Sequence, residues 1–332
     1  MENEQTELTG IHFENRLNLT ELSESMNAVR AELKKVIVGQ DKLIDYLLVA
    51  ILANGHVLLE GVPGIAKTMS IKMLSRAINV KFSRIQFTPD LMPSDILGTS
   101  VFDLKKTEFE FRPGPIFANL ILIDEVNRAP AKTQAALFEV MDERQITIDG
   151  KTYLMDEPFL VMATQNPIEQ EGTYRLPEAQ LDRFMFKVII DYPTIEDEAE
   201  IIRREHEALN GDKTAEVKSV LTGEKIVAYK NLVRQIIVEP NIIEYIARIV
   251  QNTRENPFLY LGASPRASLA ILNASKGFAA IRGRDFVTPE DIKEAAVVVL
   301  QHRIIVAPEK EMEGVKAEEI VHQIIESVEV PR

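Results

Sequence analysis

Residues 61 to 68 read Gly-Val-Pro-Gly-Ile-Ala-Lys-Thr, between the apolar run His56-Val57-Leu58-Leu59-Glu60 and the helical pattern Met69-Ser70-Ile71-Lys72-Met73-Leu74. A strand, a tight glycine-rich turn and a helix in that order form a phosphate-binding loop, and they commit the chain to an α/β sheet. Small residues let successive backbone N–H groups close around phosphate oxygens, a lysine reaches the β and γ oxygens, and a hydroxyl holds Mg²⁺. Gly61, Pro63, Gly64, Ile65, Ala66, Lys67, Thr68 and Met69 are therefore assigned to the nucleotide, ATP, with Thr68 also on the metal. Ala66 stands where the pattern expects glycine; one added methyl is compatible with the first turn of a helix.

Asn119-Leu120-Ile121-Leu122-Ile123 runs straight into Asp124-Glu125. Four consecutive apolar residues ending in two acids predict a strand buried on both faces, with its carboxyl end at the nucleotide crevice. Asp124 then holds Mg²⁺, directly or through water, and Glu125 is the general base for the attacking water.

The chain has 332 residues, which predicts two domains, and its 45% apolar and 27% charged composition is that of an ordinary soluble protein. No apolar run approaches the ~20 residues of a bilayer helix, and Met1-Glu2-Asn3-Glu4-Gln5 lacks the basic and apolar regions of a signal peptide. Zero cysteines exclude disulfides, thiolate metal sites and cysteine nucleophiles. A cytoplasmic ATP user is expected. The formal charge of −13 argues against a broad footprint for nucleic acid.

Apolar residues at helical spacing around Leu22, Met26, Val29, Leu33 and Val36 predict an N-terminal helical arm over 1–36. A second helix runs through Leu43, Ile44, Leu47, Leu48 and Ile51. Strands are expected at 82–87, 120–123, 159–164 and 186–190, alternating with helices at 68–78 and 131–143, so residues 37–193 read as a three-layer αβα core around a parallel sheet. After Asp191-Tyr192-Pro193 the strand signals largely stop. Residues 194–332 read as an all-α lid domain with helices near 195–209, 240–254, 264–281, 288–302 and 314–328, and Thr288-Pro289-Glu290-Asp291 is a well-formed helix start. Two β-hairpin insertions interrupt the core, at 101–111 and at 146–153, the second on an Asp149-Gly150 turn. Each is either structural decoration or a working loop.

Gly61 to Thr68, Leu120 to Glu125 with Val126-Asn127-Arg128-Ala129, Ala163-Thr164-Gln165-Asn166-Pro167, Leu176 to Phe184, and Gly262-Ala263-Ser264-Pro265-Arg266 together resemble the MoxR family of AAA+ ATPases, over roughly residues 20 to 305. Ala66 is similar to the variant loop of that family. In the wider class, the magnesium-chelatase ATPase subunit and MCM-type helicases share the hairpin insertions. The resemblance implies that Asn166 is the sensor-1 residue orienting the lytic water with Glu125, although Asn-Pro is a good turn on its own. It implies that Arg183 is an arginine finger offered to the neighbouring subunit's γ-phosphate, against the alternative of an ion pair with Asp182 or Glu178. Arg266 would be sensor 2, reaching the same nucleotide from the lid and closing it on ATP. Ile37, Val38 and Gly39 would meet adenine, though Val-Gly is equally a helix stop. Arg128 and Arg175 stay unassigned.

Three functions follow. The one implied by the family is a homo-oligomeric ring, a hexamer, that hydrolyses ATP to remodel or mature a protein, with a von Willebrand factor A domain protein as partner. The second is a nucleic-acid motor related to MCM-type helicases, for which Lys105, Lys106 and Lys151 are a thin basic endowment. The third is a nucleotide-dependent switch or scaffold without turnover, against which Glu125, Asn166 and Arg183 speak.

Overall fold

Each strand at the centre of the molecule is an apolar run whose alternate residues must each find a helical layer. The computed structural model describes residues 17–61, 67–165, 176–190, 192–207 and 216–331. In chain order the core contains α1 (Thr20–Lys34), α2 (Asp41–Leu52), β1 (Val57–Gly61), α3 (Lys67–Ala77), β2 (Phe82–Gln86), α4 (Pro93–Leu97), β3 (Gly98–Asp103), β4 (Glu108–Pro113), β5 (Leu120–Asp124), α5 (Ala131–Glu143), β6 (Gln145–Ile148), β7 (Lys151–Leu154), β8 (Leu160–Gln165), α6 (Glu178–Leu181) and β9 (Phe186–Ile190). Five of these strands form one sheet in the order β2-β5-β8-β1-β9, and every pair in it is parallel.

The period of two along the strands separates two apolar clusters. Leu120 and Leu122 of β5, Leu160 and Met162 of β8, and Val57 and Leu59 of β1 face one layer. Ile121, Ile123, Val161, Ala163 and Leu58 face the other, where Leu137, Phe138 and Met141 of α5 cover them. A one-residue slip in any of these strands would exchange the layers, so the register is strongly specified.

The remaining elements form the helical lid: α7 (Ile195–Glu207), α8 (Gly223–Arg234), α9 (Pro240–Glu255), β10 (Leu259–Leu261), α10 (Pro265–Ile281), α11 (Pro289–Leu300), β11 (Ile305–Val306), α12 (Pro308–Met312) and α13 (Ala317–Ser327). Helices α8 and α12 and the small β10–β11 ribbon add to the expected set. The lid does not keep a core of its own: Ile246, Phe278 and Val299 belong to the same cluster as Leu59 and Leu74. Tyr46 of α2, Phe186 of β9 and Phe278 of α10 stack where the layers meet, with ring centroids 5.6 to 6.4 Å apart. The expected N-terminal helical arm joined to the core corresponds in its described part to α1, whose Leu22, Met26, Val29 and Leu33 are all buried in this shared core.

The start of α11 confirms its sequence signal. Asp291 accepts hydrogen bonds from the Thr288 N–H (2.9 Å) and hydroxyl (3.0 Å), and its buried carboxylate also meets Arg282 and Arg284, each at 2.6 Å. Burial acts to raise its pKa, but the bonds to Arg284 and Thr288 outweigh it and hold the carboxyl below the usual range. A carboxyl depressed in the folded state stabilises above its unfolded pKa and loses that contribution as pH falls through the folded value. Asp291→Ala is expected to cost roughly 3 kcal/mol, by loss of the cap and of the partner for two arginines. Chemical denaturation at pH 7 measures it; a change below about 0.5 kcal/mol, the scale of a neutral surface substitution, would refute this role.

The hairpins form as expected. Gly150 and Asp149 both have positive φ, 75° and 52°, as a two-residue turn that follows the strand twist requires. In the other hairpin Phe102 and Phe109 pair across the strands with ring centroids 5.2 Å apart, and both stand exposed with Leu104 at the tip.

Candidate active site

Every strand of the parallel sheet ends at the same edge, and three assigned groups converge there. Gly61 closes β1 where an added Cβ would come within 2.6 Å of the Ile190 carbonyl of β9, so only glycine fits. Lys67 opens the described part of α3 and folds back, its ammonium donating to the Gly61 carbonyl. Burial lowers its pKa, against the opposing pull of Asp124 and Glu60. A desolvated ammonium beside a helix start is poised for anionic oxygens. Met69 packs its side chain against the core, which leaves only its backbone for a phosphate. Pro63, Gly64, Ile65, Ala66, Asn166 and Arg175 lie outside the described residues.

Asp124 ends β5, largely buried. Its Oδ2 accepts from Arg84 Nε at 2.6 Å and its Oδ1 from the Thr164 hydroxyl at 3.3 Å. Glu125 follows in the left-handed conformation, φ 57° and ψ 53°, a backbone that costs a non-glycine residue about 1 to 2 kcal/mol and turns its side chain out of the strand. The Glu125 N–H donates to Thr164 Oγ1 at 3.0 Å, while its carboxylate accepts from Gln86 Nε2 at 2.8 Å and pairs with Arg128 Nε at 3.1 Å. A hydroxyl at Thr68 and a carboxylate at Asp124 are hard oxygen donors, and Mg²⁺ takes only one or two protein oxygens when phosphate and water complete its shell. The donor set fits that ion.

On the expected adenine side, Gly39 has φ 72°, and a Cβ there would meet Asp197 Oδ2 of α7 at 2.5 Å. Val38 lines a cavity of about 410 Å³ with Val36, Ile201 and Arg204. Ile37 is 3% exposed and points into the core, so it does not join this wall.

The arginines sit elsewhere. Arg183 stands three residues before β9, at the amino edge of the sheet, where it donates to the Asp142 carboxylate and at 3.0 Å to the Phe138 carbonyl, both of α5. Its partner is thus neither Asp182 nor Glu178. Arg266, in the first turn of α10, reaches the same Asp142 at 3.9 Å. The two share a cavity of about 300 Å³ with Gly55, His56 and Arg303. His56 stands before β1 and Lys67 beyond its end, so the five residues of β1, about 16 Å of strand, separate this cavity from the phosphate loop. The expectation that Arg266 closes the lid on its own chain's nucleotide meets a structure in which Arg183 and Arg266 stand together at the edge opposite Lys67, both against Asp142.

Residues 56–186 match the family model of ATPases associated with various cellular activities, and residues 251–324 match an AAA lid domain. The chain is 44% identical to the chaperone MoxR1 of Mycobacterium tuberculosis, over 91% of this chain and 81% of that one. The chain belongs to the MoxR family of AAA+ ATPases. The chain is also 45% identical to YeaC of Bacillus subtilis, over 90% of this chain and 92% of that protein. A crystal structure of a candidate ATPase from Cytophaga hutchinsonii superposes with a TM-score of 0.88 at 42% identity, covering 95% of this chain and 97% of that one.

In this MoxR-family ATPase the residues that hold the acids in place come from neighbouring strands. Arg84 and Gln86 lie on β2 and Thr164 on β8, the two strands flanking β5; Arg128, unassigned from sequence, meets Glu125. The residue that ties the lid to the arginine edge is Arg303. Its buried guanidinium pairs with Asp182 at 2.7 Å and donates to the carbonyls of Asp182, Phe184, Met185 and Val299, while Ser264 holds the other Asp182 oxygen at 3.0 Å. A lone arginine after a helix carries no such signal in sequence. Among the described residues no helix is long and apolar enough to cross a membrane.

Proposed function

We propose that this protein is a Mg²⁺-dependent ATPase that works as a homo-oligomeric ring, a hexamer, in the cytoplasm, and that it remodels or matures a protein partner, one carrying a von Willebrand factor A domain. One observation carries the reading: Lys67, Asp124 and Glu125 gather at one edge of the sheet, whereas Arg183 and Arg266 gather at the other. An active site split in this way is completed by a second subunit.

ATP binds with its phosphates on the loop from Gly61 to Thr68 and its adenine beside Val38 and Gly39. Thr68 and Asp124 would hold Mg²⁺, which supplies charge neutralisation at the phosphate oxygens. Glu125 takes the proton of the attacking water as the bond to ADP breaks, Asn166 orients that water, and the next subunit's Arg183 and Arg266 offset the negative charge of the transition state. Gln86 and Arg128 share the Glu125 carboxylate and steady it before attack. The name of the mycobacterial relative supports a chaperone role. Exposed Phe102, Leu104 and Phe109 on the first hairpin suit apolar protein segments better than a phosphate backbone.

Specific ATPase activity is expected to rise with protein concentration in parallel with ring mass in sedimentation, because the lone subunit lacks the arginines. Full activity in a demonstrated monomer would overturn the split site.

A further inference from the structure

Helix α7 has no buried residue, although it carries isoleucines at helical spacing. It touches the body through one face only. Asp197 lies against Gly39, and Arg204 donates to the carbonyls of Lys34 and Lys35 at 3.0 and 2.9 Å. Residues 195, 199 and 202, at spacings of four and three, fall on the opposite face. Ile195 is 83% and Ile202 63% exposed, with the acids Glu196 and Glu198 beside them. An exposed apolar stripe flanked by Glu196 and Glu198, with Arg203 held by Glu200, is the mark of an interface.

The arginine cavity, for its part, does not end at Arg266. It shares Asn54, Met185 and Asn273 with a second cavity of about 290 Å³ between the end of α2, α8 and α10, lined by Lys230, Arg234 and Lys276. Lys230 is satisfied by Glu157 at 2.9 Å. Among the described residues Lys276 donates to the Arg234 carbonyl, at 2.8 Å, and burial lowers its pKa. Leu269, 61% exposed, stands on the wall of the arginine cavity. In a chain of net charge −13, one continuous groove thus carries more basic than acidic side chains, Asp142 and Asp182 included, with an apolar step.

We propose that in the ring the α7 of one subunit seats in this groove of the next, with Glu196 and Glu198 against Arg234 and Lys276, and Ile195 and Ile202 against Leu269. The occupant is a second copy of this chain because α7 flanks the Gly39 side of the nucleotide site and the groove continues from the arginines that must approach a neighbour's nucleotide. The inference rests on the split-site reading above and adds the surface that aligns it.

Charge exchange tests it in the full chain. Arg234→Glu/Lys276→Glu and Glu196→Lys/Glu198→Lys should each weaken self-association about tenfold in sedimentation with a non-hydrolysable ATP analogue. Mixed together, they should assemble as an alternating ring and recover ATPase activity, since each reversed groove then meets a reversed helix. Binding of a fluorescent nucleotide by each variant establishes its fold. Because the chain lacks cysteine, Ile202→Cys combined with Leu269→Cys should give a disulfide ladder of multimers under oxidation, whether or not the charge variants fold. Wild-type assembly by both charge variants, or no recovery on mixing and no ladder, would overturn the seat of α7. If trans-complementation between Lys67→Ala and Arg183→Ala proteins still works in that case, the split site stands and only the docking surface fails.

Discussion

The Glu125→Gln protein should bind ATP as tightly as the unaltered chain and hydrolyse it slower by about 10² to 10⁴, the usual contribution of a positioned base. The amide keeps the shape of the carboxylate and can still meet Gln86 and Arg128, which now hold it at 2.8 and 3.1 Å, but it cannot accept the proton of the attacking water. Left-handed backbone at Glu125 is unaffected by the change, so the loss isolates chemistry from geometry. Lys67→Ala is the contrasting case, because it removes the ammonium from the loop and should abolish tight binding itself. Isothermal titration with ATP and a phosphate-release assay, run on both proteins, separate the two effects. Wild-type turnover by Glu125→Gln would remove this residue from the mechanism.

Arg183→Ala should retain nucleotide affinity and lose about 10³ in turnover, the scale of an essential arginine supplied by a neighbour. Mixing it with Lys67→Ala should return part of the activity: at some interfaces an intact loop meets an intact arginine, although neither protein has both. The substitution also frees Asp142, which Arg183 and Arg266 share, so thermal melting should accompany the assay to show that the fold is intact. Co-assembly without any rescue would mean that Arg183 only holds α5 to the start of β9.

The parallel sheet, the phosphate loop and the paired acids were legible because each is local: a strand, a turn and a helix occupy consecutive residues, and apolar runs have a period that names their environment. The start of α11 was legible for the same reason, since Thr288 and Asp291 form a cap within one turn. Helix α8 was missed although Thr222 caps it, accepting from the Lys225 N–H at 3.4 Å, because its apolar residues are diluted by Lys225, Lys230 and Asn231. What the sequence does not carry is nonlocal. The motif at Arg266 gives residue identity and says nothing of which edge of a sheet the lid covers, so its place beside Asp142 is visible only in the structure. The supporting contacts of Arg84, Gln86 and Thr164 arise only when β2, β5 and β8 lie side by side, and strand order is not written in any one strand. The N-terminal helix shows one apolar face in sequence but not that this face meets both sheet and lid.

The single apolar cluster that runs from α1 through the sheet into α10 and α11 has a mechanical consequence. Parting lid from core would expose Tyr46, Phe186 and Phe278 to water, at about 25 cal/mol for each Å² uncovered, so the two are welded rather than hinged. A subunit built in this way behaves as one stiff link. In the ring proposed above, a closed chain of such stiff links would have its compliance at the pins, the places where one copy would meet the next and where the nucleotide would sit. On the function proposed above, the work of ATP hydrolysis would be delivered as a change of angle between links, summed around the circle, and a client held at the hairpin tips would feel torque rather than the snap of a jaw.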